Sequence, residues 1–173
     1  PYTVTKIRLV YRDSIPDENA FTSVQFPSKV KEISFGNYAR KLSQVTALTI
    51  PGSVKNFGGS LQGMKALEKL TFEEGVKEIS SNMMVSGCSQ LKTINLPSTL
   101  KTLSQSGTFS GATALTTITL PKGIEIKEGS TFEGCTALES IELPASITKI
   151  NDSMFAGCSA LEKVTAKVTT IGE

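Results

Sequence analysis

Histidine and tryptophan are both absent from this chain, and each absence narrows what it can do. Without histidine there is neither the commonest general base nor the commonest metal ligand. An excess of one charge is also missing. Eighteen basic and 16 acidic residues leave a net charge of +2, which is no electrostatic footprint for nucleic acid or an anionic membrane. No apolar run approaches the length of a bilayer span. Pro1-Tyr-Thr-Val-Thr5 lacks the charged and apolar regions of a signal peptide, so the chain is expected either to be cytosolic or to have lost a leader. No glycine-rich phosphate loop follows a strand pattern. Serine and threonine are abundant, but no base partners them, and the acidic residues are scattered. The expectation is a protein that is not an enzyme and carries no cofactor and no metal.

What the 173 residues do contain is a repeat. Ser130-Thr-Phe-Glu-Gly-Cys-Thr-Ala-Leu-Glu-Ser-Ile-Glu-Leu-Pro144 returns as Ser153-Met-Phe-Ala-Gly-Cys-Ser-Ala-Leu-Glu-Lys-Val-Thr-Ala166. Glycines at 63, 87, 111, 134 and 157 are spaced by 24, 24, 23 and 23 residues. A period in this range means stacked structural units. The central aliphatic column is Val24, Leu48, Leu70, Ile94, Ile118, Ile141 and Val164. Two residues later come Phe26, Ile50, Phe72, Leu96, Leu120, Leu143 and Ala166. Three residues earlier come Phe21, Val45, Leu67, Leu91, Leu115, Leu138 and Leu161. Two further columns begin at Val30 and Ile33, and a last one runs Ala39, Leu61, Val85, Phe109, Phe132, Phe155.

A single repeat cannot bury these side chains, whereas stacked coils set each column side by side in a continuous core. Leu115, Ile118, Leu120, Phe132, Leu138 and Ile141 are expected to be nearly fully buried. Ile-x-Leu has a period of two, so both aliphatics point inward and the residue between them points out. Coils of one sense make these strands parallel, about 4.8 Å apart, and seven of them would form a sheet roughly 30 Å long. Proline at 27, 51, 97, 121 and 144 ends the pairing. The second aliphatic pair, as in Val76-Lys-Glu-Ile79, returns across the stack in short extended segments. Asn151, Asp152, Ser153 and Ser130 precede Phe155 and Phe132 as N-cap types, and glycine two residues after each Phe would end a helical or 3₁₀ turn. The predicted fold class is therefore an α/β solenoid.

Residues 21–173 form the solenoid, with a period of 22–24 and an incomplete last repeat. Residues 1–20 break the pattern. Ile7, Leu9 and Tyr11 alternate with Arg8, Val10 and Arg12, which reads as a strand with one buried face that caps the first coil. At the other end, Val164, Val168 and Ile171 supply strand and return columns with no further turn after them, so their inner faces are expected to be partly exposed or covered by a neighbour.

Phe-x-Gly-Cys-x-x-Leu-x-x-Ile-x-Leu-Pro-x-x-Ile-x-x-Ile closely resembles the BspA-like leucine-rich repeat family over about residues 21–171. The pattern departs from commoner leucine-rich repeats in having proline near the place of their turn asparagine. The resemblance implies a right-handed solenoid with a parallel sheet on one face, on a secreted or surface-attached bacterial protein whose leader has been removed. It also implies an adhesin-like or host-interaction role, and it brings no catalytic residues.

The outward strand columns form the candidate ligand-binding face, centred on Thr93, Asn95, Thr117, Thr119, Ser140 and Glu142. Central strands flanked by coils on both sides present side chains rigidly, which keeps the entropic cost of binding low. Threonine is equally a good solvent-facing strand residue with no ligand at all. Neither column contains an aromatic platform, which disfavours carbohydrate and leaves a protein ligand as the expected partner. The alternative is a structural spacer or self-assembly unit without a specific ligand. Lys31, Lys55, Lys77 and Lys101 form a second ladder, read as a solvated edge that discourages sheet association. Glu73-Glu74 stands where proline and its neighbour stand elsewhere and reads as a variant loop. Cys88, Cys135 and Cys158 occupy one repeat position, filled elsewhere by Leu42, Met64 and Ala112. Three free buried thiols are expected, although Cys135 and Cys158 fall in adjacent coils, near enough to bridge.

Overall fold

A computed structural model describes residues 6–8, 22–35, 39, 42–167 and 169–171. The chain winds into stacked coils, each crossing a front face, a return face and a turn corner. On the front lie β3 (Ala47–Ile50), β5 (Lys69–Phe72), β7 (Thr93–Asn95), β10 (Ser140–Glu142) and β12 (Lys163–Thr165). On the return side lie β2 (Glu32–Ser34), β4 (Asn56–Phe57), β6 (Glu78–Ile79), β8 (Thr102–Leu103), β9 (Glu125–Ile126), β11 (Lys149–Ile150) and β13 (Thr170–Ile171). All the strand pairs are parallel, and their register stacks the repeat columns: Leu48 on Leu70 on Ile94, and Phe57 on Ile79 on Leu103 on Ile126.

The period-two logic holds strand by strand. In β3 the burial alternates Ala47 out, Leu48 in, Thr49 out, Ile50 in, and in β7 and β10 only the central isoleucine is buried. Leu115, Ile118, Leu120, Phe132, Leu138 and Ile141 all lie in one continuous core with the other columns. At the turn corner the Phe132 ring stacks between Phe109 and Phe155, with centroids 5.7 Å away on each side. Every buried side-chain polar atom among the described residues has a hydrogen-bond partner. Thr131 and Thr108, for example, donate through Oγ1 to the carbonyls of Glu128 and Gln105.

Two expectations need correction. The helical turn before the Phe column does not form; among the described residues only Ala39 is 3₁₀-helical, and the fold is an all-β solenoid rather than α/β. The cause is local. Met83, Gly107, Ser130 and Ser153 are left-handed two residues before the column, and Gly87, Gly111, Gly134 and Gly157 are left-handed two residues after it. Only three residues remain between these reversals, room for a single turn bond such as Glu133 N–H to Ser130, and the other backbone groups of the inner turns bond to the next coil rather than along a helix. The N–H groups of Phe109, Gly111, Phe132 and Gly134 donate to the carbonyls of Thr131, Glu133, Met154 and Ala156 at 2.7–3.0 Å.

The second correction concerns the continuous seven-stranded sheet. The front face is divided into a three-stranded sheet, β3-β5-β7, and a pair, β10-β12, with residues 116–121 between them in no strand. The return face keeps four strands together, β4-β6-β8-β9, with β11-β13 as a separate pair. Of the proposed cap, only β1 (Lys6–Arg8) is described; it pairs in parallel with β2, and Ile7 packs on the core. Leu9 and Tyr11 lie outside the described residues. At the far end Val164 is 38% and Ile171 72% exposed, while Val168 lies outside the described residues.

Candidate protein-binding face

The front face is built from alternate residues that the strand pleat turns outward, and Thr93, Asn95, Thr117, Thr119, Ser140 and Glu142 are all exposed there. Four of them, Thr93, Asn95, Thr117 and Thr119, line a cleft of about 500 Å³ between β7 and the unpaired segment. Thr119 and Glu142 line a second cleft of about 970 Å³ on the other side of that segment. Ser140 lines neither. Thr117 to Leu120 make no backbone hydrogen bond to either neighbouring coil; the N–H of Glu139, donating to the carbonyl of Thr116 at 3.1 Å, is the last stitch before the opening.

The segment is free to stand apart because the rest of its coil is tied down. Lys101 accepts from the N–H of Glu125 at 2.8 Å on the return side, and Gly111 donates to Glu133 at 2.8 Å at the corner. Ile118 and Leu120 still reach the core, so the coil keeps its apolar anchorage without strand pairing. On the intact side of the face, Asn95 Nδ2 donates to Thr71 Oγ1 at 3.2 Å, and Lys92 pairs loosely with Glu68 at 3.5 Å.

The Glu73-Glu74 pair is a fastener that the sequence reading passed over. Glu73 accepts from the N–H of Gly52 in the preceding coil at 3.2 Å. Glu74 accepts from the N–H and hydroxyl of Ser98 and from the N–H of Thr99 in the following coil. The Ser98 N–H is the main reason that the Glu74 carboxyl is held below its ordinary range. The cleft residues Lys92, Lys122, Ser146 and Lys167 were also missed. Their signal was available: a lysine follows Pro121 at the repeat position that Glu74 occupies two coils earlier.

The lysine ladder sits apart from this face. Lys31, Lys55, Lys77 and Lys101 are exposed along the return side, and their backbones are stitched coil to coil, with Lys77 donating to Lys55 and Lys101 to Lys77. The cysteine column is free of disulfides. Each thiol donates to a carbonyl of the preceding coil: Cys88 to Leu61, Cys135 to Phe109 and Cys158 to Phe132, at 3.1–3.3 Å. Burial raises Cys88 to about 11 and Cys135 to about 12, the latter with a contribution from the neighbouring Cys158. Cys158 is only half-buried, a correction to the expectation of three buried thiols, because no further Phe-x-Gly-Cys turn stacks on it among the described residues. No group of three metal-ligating side chains occurs among the described residues.

The BspA type leucine rich repeat region, in 6 copies, matches residues 16–106 and 87–173. The chain belongs to the BspA-type leucine-rich repeat family. No curated protein sequence matches it. Among solved structures, a leucine rich cell surface protein from Faecalibacterium prausnitzii superposes with a TM-score of 0.64 at 26% identity, over 82% of this chain and 34% of that one. The T. pallidum leucine rich repeat protein gives 0.58 at 20% identity, over 73% of each chain. The pneumococcal vaccine antigen PcpA gives 0.63 at 22%, over 73% of this chain and 32% of that one. The last two likenesses show the fold. This BspA-type chain thus spans about a third of the Faecalibacterium and pneumococcal chains. No helix among its described residues is long and apolar enough to cross a membrane.

Proposed function

We propose that this BspA-type solenoid is a non-catalytic protein-binding module of a bacterial surface or secreted protein, and that it binds through its front face around Thr93, Asn95, Thr117, Thr119, Ser140 and Glu142. The observation that carries the reading is the break in the front sheet, which leaves two clefts side by side among those residues. Surface display is supported by the family and by the likeness to the Faecalibacterium cell surface protein. The face lacks the Tyr, Trp or Arg anchors of strong interfaces, so each domain binds modestly and gains from multivalent display.

The test is the double change Thr117→Arg and Thr119→Arg. The variant is first checked for a native melting curve and then assayed with wild type against a panel of extracellular-matrix and secreted host proteins. Loss of a wild-type interaction in a stably folded variant supports the front face. Retention there, with loss on mutating Lys31, Lys55, Lys77 and Lys101, would move the site to the return side.

A second reading, a spacer or self-assembly unit, is favoured by the exposed apolar side chains of Val164 and Ile171. Sedimentation over a range of concentrations separates the two. Concentration-dependent association that Ile171→Lys abolishes, with no ligand found, selects the spacer.

A further inference from the structure

Lys31, Lys55, Lys77 and Lys101 each stand immediately before a return strand, β2, β4, β6 and β8 in turn, and all four are exposed. The Lys77 N–H donates to the carbonyl of Lys55 at 2.7 Å, and the Lys101 N–H to that of Lys77 at 2.8 Å. Hydroxyls of the following coil pin the residue before two of them. Ser53 Oγ donates to the carbonyl of Val30, and Thr99 Oγ1 to that of Val76 at 2.9 Å. The row is one lysine wide and held at the spacing of a parallel ladder, about 4.8 Å per step and about 14 Å from end to end. It stops in the next coil, where the buried Ile124 itself precedes β9.

Stacked like charges are unfavourable unless something offsets them. Among the described residues, none of the four lysines is in an ion pair. Two acids follow them in sequence; Glu32 is already bound to Lys6, which leaves Glu78. Lys55 Nζ donates to the carbonyl of Gly52 at 3.0 Å, a neutral partner that does not cancel its charge. The complement of such a row is a linear polyanion. A single-stranded nucleic acid would also need platforms for its bases, and no Phe or Tyr is exposed among the described residues. An extended acidic peptide repeats its same-face carboxylates every two residues, roughly 6.6–6.8 Å apart, out of step with the lysines. A sulfated sugar chain carries anionic groups at closer and more varied intervals. Contact through its sulfates does not need the aromatic platform that a neutral sugar does.

We propose that the lysine row binds a linear sulfated polysaccharide, laid across the coils with its sulfates against Lys31, Lys55, Lys77 and Lys101. Each ammonium is a compact point charge on a flexible stem, so it follows charge density rather than a fixed hydrogen-bond fork. The stitched backbone sets the direction of the row, and the stems adjust to the spacing of the sulfates. This site lies on a different side of the solenoid from the front clefts. It goes beyond the front-face reading and stands whether or not that reading holds.

The probe is a heparin octasaccharide, titrated into the whole ¹⁵N-labelled chain beside its desulfated counterpart. The expected result is saturable amide shifts at Lys55, Lys77 and Lys101 with the sulfated chain alone, weakening with added salt. Lys77→Gln with Lys101→Gln should lower the affinity by about tenfold and reduce the salt slope by about one to two. Lys65→Gln with Lys163→Gln removes the same net charge away from the row and should change neither. If the first double variant misfolds, Lys31→Gln with Lys55→Gln supplies the comparison. No binding at millimolar octasaccharide overturns the inference, as do shifts confined elsewhere. Equal loss from the Lys65 and Lys163 pair also overturns it, because net charge alone would then account for binding. So does equal binding of polyaspartate or of oligothymidylate, which makes the partner an acidic protein or a nucleic acid.

Discussion

The carboxylate of Glu74 holds Ser98, one coil away, by both its backbone N–H at 2.8 Å and its hydroxyl at 3.1 Å. These bonds, the backbone one first, favour the charged form and lower the Glu74 pKa from its ordinary 4.5. A depressed carboxyl contributes stability that is fully present above its unfolded pKa and is lost as pH falls through the folded one. Glu74→Gln should therefore reduce the urea midpoint in neutral buffer, and the gap between variant and wild type should close in acid. A gap that is constant with pH would show that the carboxylate charge plays no part.

Gly52 and the carbonyl of Glu74 meet so closely that a Cβ on Gly52 would lie 1.8 Å from that oxygen. Gly123 is left-handed, at φ +78°, but a Cβ there meets nothing within 4 Å. Gly52→Ala is expected to cost more than about 2 kcal/mol, because backbone must move. Gly123→Ala should cost only the left-handed penalty of about 1–2 kcal/mol. Paired denaturation curves give the order, and a reversed order would refute the close approach.

Phe132 is stacked on both sides, whereas Phe155 is stacked on one and half-buried. Phe132→Ala should cost about 3–5 kcal/mol, and Phe155→Ala distinctly less. A loss at Phe132 below about 1 kcal/mol would mean that the column does not behave as core.

The thiols offer a third kind of readout. Cys158 should react with a thiol reagent in the native protein well before Cys88 and Cys135, which should wait for unfolding. Burial raises the folded pKa of both to about 11 and about 12 from an ordinary 9.0, so the unfolded chain ionises first. Stability is then complete below pH 9.0 and falls as pH rises through the folded values. Serine at 88 and 135 removes that alkaline slope. A slope unchanged by the substitutions assigns it to other groups.

The columns were legible because burial leaves a fixed signature: Leu70 and Ile94 recur every coil, and in the structure they lie directly across from each other. The turn corner reads as a helix start because serine before Phe is a favoured helix cap, and nothing in a serine signals the left-handed backbone it adopts here. At Ser130 the choice is made by its N–H bond to the carbonyl of Asp152 in the next coil, which no single repeat contains. The break at Thr117 was equally hidden. Thr-Ile-Thr-Leu has a clean strand pattern, and Ile118 and Leu120 are buried as the pattern demands. Only the neighbours' backbone positions decide whether a buried strand pattern also pairs. The clefts follow from that break, so the outward threonines could be named in advance but the lysines around them could not.

The unpaired segment also bears on mechanics. On either side of the Thr117 coil the corner turns are stitched, and on the β8 side the return strands are too, while the front sheet is interrupted. A solenoid can flex about its joined sides at this level, and no strand ladder on the front has to break between Thr117 and Leu120 as it does so. Its radius of curvature is therefore softest at this level. A load that straightens or tightens the arc is taken up there first, as a change in the width of two slots, while the coils above and below move as stiff blocks.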